Sequence, residues 1–122
     1  MFATTVRFTL PPDTDWERLR QLAVRRAFEV YRAIPGLRSH AFVFSPERSE
    51  FGGDSVWETQ DHAEAFLRSG VWQKALSWYG EPRVERAEVC AYVEDGDLIH
   101  PPDYDLRSAP PDEPALAPSG LH

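Results

Sequence analysis

His40 is the side chain in this sequence best suited to moving a proton near neutral pH, because an unperturbed imidazole titrates there. It lies in Leu37-Arg-Ser-His-Ala-Phe-Val-Phe44, whose alternating side chains read as a β-strand. A later run from Arg83 to Glu94 reads the same way, with Val84, Val89, Tyr92 and Val93 favouring β structure. Strand parity puts Arg38, His40, Phe42 and Phe44 on one side of the first run, and Arg86, Glu88, Cys90 and Tyr92 on one side of the second. In this arrangement His40 is a general acid or base. Tyr92 could orient or protonate a phenolate or enolate, and Arg38 or Arg86 could stabilise the anion. Arg7, Phe42 and Glu88 extend the same surface, a mixed aromatic and polar one suited to a planar, partly apolar ligand. Trp57, Trp72, Trp78 and Tyr79 could wall a pocket beside it. The competing readings are structural: His40 hydrogen-bonded in a dimer interface, Tyr92 packed on a sheet, Arg86 and Glu88 paired as ions, and the Trp residues in the core. Cys90 lies in no motif and reads as a buried, inert thiol.

The elements that must hold these residues follow from the pattern. Residues 3–10 alternate and are rich in β-branched and aromatic types, giving a first strand that Pro11-Pro12 ends. Thr14 and Glu17 have capping-box spacing, and Trp16, Leu19, Ala23, Ala27, Val30 and Ile34 recur at helical intervals, which predicts a helix of about five turns. Trp16, Phe28 and Tyr31 form an aromatic stripe expected to pack. Pro35-Gly36 then turns the chain. The segments 37–44 and 51–58 pair as a hairpin around Ser45–Glu50. In the second of these, either Ser55 and Trp57 or Asp54 and Glu58 point inward. Asp61 and Glu64 signal a second helix that Gly70 ends, and a further helical piece runs from Val71 to Tyr79. Gly80 and Pro82 close it, the fourth strand follows, and Asp95-Gly96-Asp97 marks its end.

The small apolar faces of the strands, Leu37, Ser39, Ala41 and Val43 with Ala87, Val89, Ala91 and Val93, are expected to meet the helices. That assignment leaves the His40 face for the opposite side, and a shift of one residue would invert it. The order β-α-β-β-α-β is the ferredoxin-like split arrangement, an α+β fold with a four-stranded antiparallel sheet. A chain of 122 residues has no spare layer for the second sheet face, so a second copy of the sheet is the economical cover. The domain is expected over 1–97. Six of the eleven prolines lie at 101 or later, so 98–122 is expected to be an extended tail, either loose or folded as an arm over a partner subunit.

A formal charge of −7 argues against a nucleic-acid binder and against an anionic membrane surface. No run approaches the length of a membrane span, and residues 1–7 lack a basic leader, so no signal peptide is expected; a single cysteine, Cys90, fits a cytoplasmic protein. One cysteine and four scattered histidines offer no metal-binding spacing. Gly52-Gly53 is no nucleotide fingerprint, which disfavours a flavin.

Pro35-Gly36-Leu37, Gly52-Gly53 opening the next strand, the aromatic at 57 and the helix Ala63-Glu-Ala-Phe-Leu67 together resemble the YdhR-type mono-oxygenases. These belong to the dimeric α/β-barrel superfamily, alongside the antibiotic-biosynthesis mono-oxygenases. The resemblance covers about residues 3–95. It implies a homodimer with a ligand cavity between sheet and helices. It also implies a small enzyme without metal or organic cofactor, acting on an aromatic or polyketide-like molecule, most readily as a mono-oxygenase. Phe66 stands at about the position where several antibiotic-biosynthesis relatives carry a His, and it joins the expected binding residues. The alternatives are a redox-neutral cyclase, dehydratase or isomerase, a non-catalytic small-molecule-binding protein, and a haem-handling protein with His40 as its strand ligand.

Overall fold

The computed structural model describes residues 1–99. The chain divides into two compact units, Met1–Val89 and a second that begins at Cys90. The first is built from β1 (Phe2–Thr9), α1 (Trp16–Glu29), β2 (Leu37–Ser45), β3 (Glu50–Trp57), α2 (Gln60–Phe66), α3 (Gly70–Tyr79) and β4 (Arg83–Glu88). The strands form one antiparallel sheet in the order β2-β3-β1-β4. This is the ferredoxin-like βαββαβ arrangement, with the second helix broken in two.

Local chemistry sets the element ends. Asp15, not Thr14, caps α1, accepting from the Arg18 N–H at 3.0 Å; Thr14 instead donates to the Pro11 carbonyl. The helix stops at Glu29, about a turn before the expected end. A 3₁₀ turn over Tyr31–Ala33 leads into Pro35 and Gly36, whose φ of 77° only glycine adopts freely. Thr59 rather than Asp61 caps α2, and Ser69 caps α3, each side chain accepting a backbone N–H three residues on.

All three helices pack on one side of the sheet. Val6, Phe8, Leu10, Phe51, Leu19 and Trp72 form the buried core, with Trp16, Phe42, Phe44, Phe66 and Tyr79 against it. Each large side chain buried here contributes about 1.5–3 kcal/mol. Registers fix the facing: Thr4 lies opposite Ser55, Val6 opposite Gly53 and Phe8 opposite Phe51. His40, Phe42 and Phe44 stand across β3 from Ser55, Gly53 and Phe51. The aromatic side of β2 therefore meets the helices, and Ser39, Ala41 and Val43 face away. This inverts the expectation for β2. Two phenylalanines bury far more apolar area than an alanine and a valine, and the irregularity between Leu37 and Ser39 sets the phase. The same inversion holds in β4, where Val84 packs against the core and Ala87 pairs with Ala3 on the open face. In β3, Ser55 and Trp57 face the helices, while Asp54 and Glu58 do not.

The fourth strand ends at Glu88, short of the expected Glu94. Tyr92–Glu94 instead forms a strand β5 in the second unit, paired with β6 (Asp97–Ile99). Asp95 and Gly96 are the two turn residues between them, with φ of 52° and 84°. Asp-Gly is a strong hairpin signal, and here it starts a hairpin rather than ending a strand. The proline-rich stretch expected to be a tail lies, from residue 100 on, outside the described residues. Phe28, expected to pack, is exposed on α1 under the Arg32 guanidinium at 4.0 Å. No helix among the described residues is long and apolar enough to cross a membrane.

Candidate active site

Between the sheet and the helices of the first unit lies a cavity of about 50 Å³. Strands β1 to β3 give it Thr4, Val6, Phe8, His40, Phe42, Phe51, Gly53 and Ser55. The helices and the turn after α1 add, among others, Arg26, Tyr31, Phe66, Trp72, Trp78 and Tyr79. Six residues expected at the site, His40, Phe42, Phe66, Trp72, Trp78 and Tyr79, are thus brought together.

His40 is its chemical centre. Nδ1 lies 2.6 Å from the Ser55 hydroxyl, and the ring sits against Tyr31 and Phe42, with centroids 4.6 and 4.4 Å away. Nε2 is buried and has no hydrogen-bond partner among the described residues. Gly53 makes this placement possible: a Cβ there would come within 2.8 Å of Nε2. Burial pushes the imidazole down to about 4, opposed by Asp54. The ring is therefore neutral at pH 7. Such a nitrogen costs stability unless something pairs with it, and a guest that gives it a proton or a hydrogen bond would do so.

Around it the wall is aromatic. Tyr31 touches His40, Phe42 and Phe66, and Phe8 and Phe51 meet Tyr79. Burial pushes the Tyr31 and Tyr79 phenols up, while Arg26 pulls both down. Both hydroxyls stay protonated near neutral pH and can donate. Trp57 lies behind the wall, 1% exposed, its ring beside Phe66 and its Nε1 donating to Thr4 Oγ1 at 3.0 Å. It anchors the floor rather than lining the cavity. Tyr31 and His40 also border a separate depression of about 300 Å³ at the β2 edge, shared with Leu37 and Arg38.

The other expected site residues lie elsewhere. Arg7 is on the open face of the sheet, bound to Asp54 at 2.8 Å, an interaction that holds its guanidinium more firmly charged. Arg38 bridges to Glu58 at the β2 edge. Arg86 and Glu88 are exposed on the edge strand β4 and form no ion pair with each other; the ion pairs of β4 among the described residues are made by Arg83. Tyr92 belongs to the second unit, where its hydroxyl donates to Glu94 at 3.3 Å. Cys90 is exposed, not buried. In place of these residues the cavity takes Arg26, Tyr31 and Ser55. Ser55 was visible as one of two alternatives for β3, and Tyr31 as part of an aromatic stripe. Arg26 carried no signal that set it apart from its neighbours on α1.

No protein-family model matches this sequence, and no curated protein matches it either. Solved structures do share the fold. One is NE2512, a protein of unknown function from Nitrosomonas europaea. It is 22% identical, with a TM-score of 0.59, over 75% of this chain and 90% of that one. Another is a candidate antibiotic biosynthesis monooxygenase from Deinococcus radiodurans, at 18% identity and a TM-score of 0.60, over 77% and 97% of the two chains. A third is a variant of SnoaB, a cofactor-independent oxygenase from Streptomyces nogalater, at 17% identity and 0.53, over 72% and 91%. The residue resemblance and the structural match point to the same group: the chain has the fold of the antibiotic-biosynthesis monooxygenase structures.

Proposed function

We propose that this protein is a cytoplasmic, cofactor-independent mono-oxygenase acting on an aromatic or polyketide-like small molecule, and that it works as a homodimer. The observation that carries the reading is the buried, partnerless Nε2 of His40 in an aromatic cavity. With Nδ1–H donating to Ser55, Nε2 presents its lone pair to a guest. The substrate would carry an acidic CH₂ between aromatic or carbonyl groups. His40 takes one proton, and the carbanion adds O₂ through carbon to give a peroxide. The peroxide takes that proton back, and loss of water leaves a ketone. One oxygen atom ends in product and one in water, and the substrate supplies all the electrons. The imidazole is a weak base in the empty cavity, but an anion forming beside it favours its protonated form. Dry aromatic walls keep water from quenching the carbanion. The oxygenase on the same fold supports this chemistry.

A cavity of about 50 Å³ is too small for a fused-ring guest, since ligand sites usually span roughly 300–1,000 Å³. The space lies next door, in the depression that Tyr31 and His40 also border. Tyr31 and His40 line both spaces, and a larger guest would span the two. Neither space suits a haem seated on His40. The open sheet face, with Ala3, Ala41, Val43 and Val56 around the Arg7–Asp54 pair, is the surface we assign to the second copy.

The test is oxygen uptake with a panel of anthrones and naphthols. The expected result is uptake with at least one anthrone, lost in His40→Gln while binding persists. Turnover without oxygen uptake would favour a redox-neutral cyclase or isomerase instead. Saturable binding without turnover would favour a binding protein.

A further inference from the structure

Among the described residues that line the cavity, Arg26 is the only charged side chain, and no carboxylate joins it there. It lies in the last turn of α1, where a cation suits the helix dipole. That accounts for a positive charge in this turn, but not for its direction. The residue is half-buried, and its guanidinium lies over the Trp78 ring at 5.5 Å. It makes no ion pair among the described residues, while the neighbouring Arg25 takes Glu29. A chain of net charge −7 thus keeps a cation with no ion-pair partner among the described residues at an aromatic cavity whose other described polar groups are hydroxyls, a neutral imidazole and backbone; Arg32 and Arg38 border only the adjoining depression. A guanidinium in such surroundings binds an oxyanion strongly, because water competes poorly and the donors are fixed by the stacking.

We infer that the guest of this cavity carries a negatively charged oxygen group, a phenolate, carboxylate or sulfonate on an aromatic frame, and that Arg26 binds it. Tyr31 and Tyr79 line the same cavity as Arg26 and keep their hydroxyl protons near neutral pH. Arg26 is then a binding and specificity residue, distinct from the base His40. The inference rests on the proposed site being the ligand cavity, and its test separates the two.

Two fluorescent probes share one frame: 8-anilinonaphthalene-1-sulfonate is anionic, and N-phenyl-1-naphthylamine lacks the sulfonate. Both are titrated into the full chain in a Phe28→Ser background, which removes the exposed Val24 and Phe28 groove on α1 as a rival site. Seating across the cavity and the adjoining depression, both of which His40 borders, is read from the ring-proton shifts of His40. The expected result is that Arg26→Gln weakens the sulfonate probe about tenfold and leaves the neutral probe within about twofold, while Arg26→Lys restores part of the loss. Equal changes for both probes, or none, with His40 still responding, would overturn the anion assignment alone. No response of His40 to either probe would remove the cavity reading and this inference with it.

Discussion

His40 pays for its position in a way that pH reveals. Its imidazole has a folded value of about 4 against an ordinary 6.5. Between these values the unfolded chain binds the proton and the folded chain does not, so stability rises with pH across that window. Above about pH 6.5 the residue is neutral in both states and the effect is absent; below about pH 4 the cost is complete, at up to roughly 3 kcal/mol. Urea unfolding of wild type and His40→Gln at pH 7.5 and pH 4.5 checks this. Wild type should lose more stability on acidification than the variant, and equal losses would mean the ring is already solvated. Trp57 presents a simpler case. Trp57→Phe keeps most of the ring but leaves the buried Thr4 hydroxyl without its donor, which should cost about 1–3 kcal/mol in thermal or urea unfolding. Much of this detail could not be read in the sequence. Ser55 appeared only as one of two possible facings, and Arg26 as one arginine among several on α1. What distinguishes Arg26 is that α1 closes over Trp78 from α3, fifty residues away in the chain.

The elements were more legible where turn chemistry is local. Pro35-Gly36 ends the first helical segment, Ser45–Glu50 turns the hairpin, and Gly80 closes α3, each by a backbone preference carried within a few residues. The facing of β2 was not legible, because alternation gives two faces without saying which is buried; Phe42 and Phe44 decided it through the area they bury. The Asp95-Gly96 turn was readable but taken for a strand end, although the pair favours positive φ at both positions. The two glycines of β3 yield a prediction at this scale. A Cβ at Gly52 would overlap the Val6 carbonyl oxygen and wedge β1 from β3, whereas at Gly53 it would crowd the His40 ring and make ordinary contact with the Ala41 carbonyl. Gly52→Ala should therefore fail to fold or melt far below wild type. Gly53→Ala should fold, lose about 1–3 kcal/mol and shift the His40 ring resonances. Calorimetry and a proton–nitrogen spectrum of each variant decide it, and a well-folded Gly52→Ala would contradict the register.

For the molecule as a whole, the helices use one sheet face and leave the other to a partner in the proposed assembly. Sedimentation equilibrium should return twice the 13.9 kDa chain mass. Ala41→Arg with Val56→Arg, which puts four guanidinium groups into a symmetric interface, should return the single-chain mass with the fold intact. Wild type sedimenting as one chain would remove the dimer and leave the cavity within each subunit untouched. The account depends most on that cavity being dry around an imidazole that is neutral at pH 7. The direct measurement is an NMR titration of the His40 ring protons in the intact chain from pH 8 to pH 3.5. A midpoint near 4 is the predicted result. A midpoint near the ordinary 6.5 would place the ring in water and leave the proposed chemistry without its base.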